Sequence, residues 1–132
     1  MLPGHPTGVI TSADDLQEIV RRALAAEAVA VDVEANGLFA YRARACVVQL
    51  AWVEAGELQI ALVDSLAVPV TALSGLLSAP APLKVFHDLA FDARLFLSEG
   101  VILNGVRDTS VAAQLCGHKA LGLSSLLLSE DR

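Results

Sequence analysis

The chain is short of positive charge. Its 132 residues include nine Lys and Arg, only two of them Lys, against 15 Asp and Glu, for a formal net charge of −6. Nucleic-acid backbones are ordinarily held by clustered Lys and Arg. Here only Arg21–Arg22 and Arg42/Arg44 concentrate any positive charge, so composition argues against tight, nonspecific backbone binding. Cysteine is equally scarce. Cys46 and Cys116 stand far apart with no Cys-x-x-Cys pair, which argues against a zinc site and predicts two buried free thiols. Aromatic side chains make up 5% of the sequence: Trp52, Tyr41 and four Phe. No apolar run approaches the roughly 18 residues of a membrane span. Met1 to Ile10 carries two Pro, two Gly and a His in place of a basic segment followed by an apolar one. That start is unlike a secretory leader, and the expected location is the cytoplasm.

Aliphatic residues fill the gap. Hydrophobic residues reach 55%, enough for one core, and no Gly-, Ser- or Pro-rich stretch divides the chain. A single domain over 1–132 is expected.

Residues 1–11 read as an irregular lead-in. Ser12-Ala-Asp-Asp15 has the form of a capping box. Leu16, Ile19, Val20, Ala23 and Leu24 then recur at helical spacing, which predicts a helix over 13–26. Ala28 to Glu34 is almost wholly apolar before its acidic end and reads as a strand buried on both faces. Strands are expected over 46–53 and 58–64, joined as a hairpin by Glu-Ala-Gly-Glu at 54–57. A short helix near 69–78, a strand over 83–86 and a helix over 88–98 follow. In that helix Leu89, Ala93, Phe96 and Leu97 should face the core, and Phe91 also reads as core. A short strand ending at 108 and helices over 109–116 and 122–129 complete a mixed α/β order.

Ionised carboxylates are costly in a central strand. Asp32 and Glu34, two apart, project from one face. Held that close they need a cation, a shared proton or water. A hard divalent ion, Mg²⁺ or Mn²⁺, suits oxygen ligands; a strand that simply ends in polar residues at the surface is the plainer reading. His87-Asp-Leu-Ala-Phe-Asp92 lies at a strand-to-helix junction. Asp88 reads as a helix cap and Asp92 shares its helix face one turn on, while His87 suits a satisfied buried histidine or a ligand. Asp108 before Thr109-Ser110 reads as a helix cap.

Together these segments resemble the ribonuclease D branch of the DEDD 3′-5′ exonuclease superfamily. The first motif, Asp-x-Glu followed by a hairpin strand ending Gln-Leu, is matched by Asp32-Val-Glu34 and Gln49-Leu50. The second, a His-x-x-x-x-Asp pattern opening a helix, is matched by His87 to Asp92. Asp108 to Gly117 and Leu121 to Leu126 are further family-like segments in the right order. The resemblance implies a ribonuclease H-like fold, with a central mixed sheet, an early antiparallel hairpin and flanking helices. It also implies two-metal hydrolysis of 3′-terminal phosphodiesters in single-stranded RNA or DNA, releasing nucleoside 5′-monophosphates. Asp32 would bridge both ions, Glu34 would hold one near the terminal 3′-hydroxyl, and Asp92 would hold the second largely through water. Asn36, Gly37, Leu38, His87 and Asp88 would lie against substrate, and Asp108 would support them. The family's third motif supplies a fourth carboxylate, four residues after a Tyr or five after a His. It has no counterpart before Arg132, so the C-terminal part of the domain is expected to lie beyond this sequence, and the apolar face of helix 122–129 to promote self-association.

Two readings follow. One is an exonuclease acting within a longer chain or completed by another. The other is a catalytically incomplete module that binds nucleic acid or a protein. A phosphotransferase built on Asp-x-Asp fits less well, because Glu34 stands where its second Asp is needed.

Overall fold

A computed structural model describes residues 8–37 and 42–130 of the chain. Ser12 starts α1 (Ala13–Leu24) as its spacing predicts, its hydroxyl accepting the Asp15 N–H at 3.2 Å. The strands are β1 (Val9–Ile10), β2 (Ala28–Ala35), β3 (Ala45–Glu54), β4 (Glu57–Asp64), β5 (Leu83–Phe86) and β6 (Val106–Asp108). A 3-10 turn over Val70–Leu73 runs into α2 (Ser74–Leu77), and α3 (Leu89–Ser98), α4 (Thr109–Leu115) and α5 (Leu123–Glu130) follow.

The six strands form one mixed sheet in the order β1-β4-β3-β2-β5-β6. β2, β3 and β4 are antiparallel neighbours, whereas β1 joins β4, β5 joins β2 and β6 joins β5 in parallel. This is the mixed α/β architecture with an early hairpin that the sequence predicts. The hairpin turn closes on Glu54 and Glu57, with Ala55 and Gly56 both at positive φ, the geometry that matches strand twist in a two-residue turn. The sequence reading missed β1, which is too short to show a period. Residues 1–7 of the expected lead-in lie outside the described residues.

The core lies on one face of the sheet. Val29, Val31 and Val33 of β2 meet Val48, Leu50 and Trp52 of β3, and Leu16, Leu73, Leu76, Leu77, Leu95 and Phe96 cover them. Phe86 and Phe96 lock β5 to α3 edge to face, 6.4 Å between centroids. Expectation and structure part at several places. β2 is not buried on both faces: Ala28, Ala30, Asp32 and Glu34 are exposed, because α1 to α3 cover only the opposite side. Leu24 and Leu97 point to solvent, and Phe91 is 50% exposed. Cys46 and Cys116 are free as expected, but Cys46 is only half-buried and Cys116 is exposed. Lys84, in contrast, is wholly buried. It alternates onto the same side as Phe86, donates from Nζ to the Ala79 carbonyl, and burial lowers its pKa.

Candidate functional site

β2 carries Asp32 and Glu34 out on the open face, side by side with Gln49 and Val47 of β3. A register shift after Glu34 ends the regular pairing, and Asn36 closes the loop neck behind it. Its Oδ1 accepts the Arg44 N–H at 2.8 Å, and its own N–H donates to the Arg44 carbonyl at 3.2 Å. Asn36 thus braces the backbone next to the carboxylates. Gly37 is exposed and leaves little room for a side chain, since a Cβ there would lie 3.3 Å from Ala43. Leu38 lies outside the described residues.

α3 supplies the third carboxylate. Asp92 in its first turn is 5% exposed, and its Oδ2 is buried without a hydrogen-bond partner. Burial raises its pKa, and the charges of Asp32, Asp88, Glu34 and Asp108 raise it further, to about 7. The same field that identifies these five carboxylates as neighbours makes them repel. Among the described residues no three His, Cys, Asp or Glu converge at ligand spacing. A donor set made only of carboxylate oxygens, one of them buried and unsatisfied, fits a hard divalent ion.

α3 begins in an unusual way. Asp88 occupies the left-handed region, φ 62°, ψ 61°, which Asp tolerates better than most residues, and its side chain caps nothing. This corrects the expectation that Asp88 is the cap. Asp108 serves instead: its carboxylate accepts the Asp88 N–H at 3.1 Å and the Leu89 N–H at 2.9 Å. Asp108 also caps its own helix, accepting the Ser110 N–H at 2.8 Å and the Ser110 hydroxyl at 2.7 Å. Burial alone would push the Asp108 pKa up; these hydrogen bonds outweigh it and hold the carboxyl at about 2. His87 is engaged on both sides of its ring. Nε2 donates to the Leu121 carbonyl at 2.7 Å, and Nδ1 lies 2.8 Å from the Thr109 hydroxyl. The ring therefore ties β5 to the start of α4 and to the segment before α5. Sequence reasoning missed Thr109 and Leu121 as its partners, since they lie 22 and 34 residues away.

A cleft of about 470 Å³ runs along the open face beside Asp32, floored by Ala30, Gln49 and Ala51 and walled by His87 and Leu123. Small residues on β2 and β3 keep it open.

The family model for the 3′-5′ exonuclease matches residues 8–129. Ribonuclease D of Gluconacetobacter diazotrophicus is 35% identical over 118 residues, 86% of this chain and 29% of that protein. The crystal structure of Escherichia coli RNase D, described as an exoribonuclease involved in structured RNA processing, superposes with a TM-score of 0.82 at 25% identity, covering 96% of this chain and 33% of that one. NrnC of Brucella melitensis, solved with bound Mg²⁺, gives 0.64 at 27% identity, covering 78% of this chain and 52% of that one. The chain thus spans under a third of the curated relative's length.

Proposed function

The chain belongs to the 3′-5′ exonuclease family, in its ribonuclease D-like branch, and from that premise we propose that it hydrolyses the 3′-terminal phosphodiester of single-stranded nucleic acid. RNA is the favoured substrate, DNA a second one, and nucleoside 5′-monophosphates the product. One observation carries the reading: a buried, unpartnered Asp92 oxygen lies in the field of Asp32 and Glu34 on β2. Asp32, Glu34 and Asp92 are the residues that would hold Mg²⁺ or Mn²⁺, two ions in a complete site. When bound, such cations activate water and stabilise charge on the reacting phosphate.

The chain's own residues prepare that site. Rigid pairing of β2 with β3 and β5 fixes where Asp32 and Glu34 project. Asp108 holds the start of α3, and with it the height of Asp92 above the sheet. Asn36 and His87 act first through the backbone they brace, and with Gly37 and Asp88 they border the path of the terminal nucleotide. Exclusion of water by the surrounding wall leaves Asp92 uncompensated, which strengthens its demand for a cation.

Among the described residues no helix is long and apolar enough to cross a membrane, and a cytoplasmic setting belongs to the same proposal. So does self-association through α5, whose Leu123, Leu127 and Leu128 are 50%, 59% and 66% exposed.

The exposed leucines of α5 suit a second reading, a module that binds nucleic acid or a protein without cleaving. Incubation of labelled single-stranded RNA and DNA with Mg²⁺ or Mn²⁺, and with chelator, separates the two. Metal-dependent shortening from the 3′ end supports the nuclease. Binding that persists in chelator, with intact substrate in metal, favours the module.

A further inference from the structure

Positive charge is scarce in this chain, and where it collects is informative. Of the nine basic residues, Arg21 and Arg22 are paired with Glu18 and Glu54, and Lys84 is buried. Arg42, Arg44 and Arg94 instead line a single open cleft of about 600 Å³, together with Phe91 and Glu99. Two unrelated parts of the sequence supply them. Arg42 and Arg44 lie just before β3, on the far side of the loop neck that Asn36 closes after Glu34. Arg94 and Phe91 belong to α3, two residues after and one before Asp92. The cleft therefore lies between the segment that follows Glu34 and α3, the helix that carries Asp92.

All three arginines are exposed. Arg44 meets Glu99 only at 3.7 Å, a weak ion pair, and Glu99 Oε2 is itself buried without a hydrogen-bond partner. Three guanidinium groups around one concave surface, loosely neutralised by one acid, suit a polyanion that passes along them. The half-exposed Phe91 ring adds an apolar face to the same cleft.

We propose that this cleft binds the phosphodiester backbone of the substrate strand upstream of its 3′ end. The assignment rests on the nuclease reading above, which places the 3′ end among Asp32, Glu34 and Asp92. It also explains how an acidic protein can hold a nucleic acid. The strand meets a positive channel only a few nucleotides long, so affinity grows with length up to that reach and then levels off.

The test is an anisotropy titration of a 5′-fluorescein single-stranded 12-mer and of a labelled dinucleotide, in Ca²⁺, at stepped salt concentrations. The wild-type protein should bind the 12-mer more tightly. The triple variant Arg42→Gln/Arg44→Gln/Arg94→Gln should lose about 10-fold or more on the 12-mer, with a salt slope lower by about 0.7 for each phosphate contact removed. Its dinucleotide affinity should stay unchanged. Glu99→Gln, which removes the competing acid, should tighten 12-mer binding, and Arg21→Gln should leave it as it was. A triple variant that binds the 12-mer like the wild type, or loses both ligands equally, overturns the cleft and leaves the nuclease reading standing. Polyglutamate of equal charge competing as well as the oligonucleotide overturns it too. Failure of the wild-type protein to bind either oligonucleotide sinks both proposals at once.

Discussion

The Asp108 carboxylate accepts the Leu89 N–H at 2.9 Å while capping its own helix through Ser110. One side chain thus fixes the starts of both α3 and α4. Replacing Asp108 with Ala should cost about 2–3 kcal/mol, since several charge-assisted bonds are lost together. Because folding lowers this pKa to about 2, the stabilisation is complete above the ordinary carboxylate range and fades as pH falls through it towards 2. Denaturant unfolding of the wild type and Asp108→Asn between pH 2 and 6 checks this. The gap between the two proteins should close as the pH drops.

Asp92 behaves in the opposite sense. Burial and four neighbouring carboxylates raise its pKa from 3.8 to about 7. The folded chain then holds a proton that the unfolded chain has already released. Stability should decline as pH rises from about 4 to about 7, by on the order of a few kcal/mol. Asp92→Asn should therefore be more stable than the wild type at pH 8 without metal, though catalytically dead. Added Mn²⁺ should raise the wild-type melting temperature more than that of Asp92→Asn, which keeps Asp32 and Glu34 but loses the third carboxylate. Thermal melts at pH 5 and pH 8, with Mn²⁺ and with chelator, read all of this.

Gly105 has φ +61°, and a Cβ there would stand 2.4 Å from the Pro80 carbonyl oxygen. Its own carbonyl accepts the Lys84 N–H at 2.8 Å, so the backbone cannot drift without loosening β5. Gly105→Ala should destabilise by about 2 kcal/mol or more, visible as a lower urea midpoint. An unchanged midpoint contradicts the stated packing.

The exposed leucines of α5 should make the protein associate as concentration rises. Sedimentation velocity across a hundredfold concentration range should show the increase. Leu127→Ser/Leu128→Ser should abolish it without changing the monomer's circular dichroism.

Much of this was legible in the sequence because it depends on local period. Asp32 and Glu34 stood out as paired charges on a hydrophobic strand, and α1, the hairpin and α3 follow from spacing and turn chemistry. The misses have physical causes. Phe91 and Phe96, five residues apart, sit about 140° apart around a helix, so both could not face one core; Phe96 is buried and Phe91 is not. β2 looked doubly buried because alanine is apolar on a strand whether or not anything covers it. Lys84 carried a readable signal, a cation in phase with Phe86, but nothing local reveals its carbonyl partner. The double cap of Asp108 and the tethering of His87 join segments about 20 residues or more apart in sequence, and the arginine cleft joins a loop neck to a helix. Such contacts exist only once the sheet has formed.

We propose that Asp32, Glu34 and Asp92 act together on the 3′ end of a strand. This is tested most directly by following a 5′-labelled single-stranded RNA in Mg²⁺ with the wild-type protein and with Asp32→Asn, which keeps the shape of the side chain and removes its charge. The wild type should give a ladder shortening one nucleotide at a time from the 3′ end, and Asp32→Asn a rate at least about 100-fold lower. Equal degradation by the two proteins contradicts the proposal.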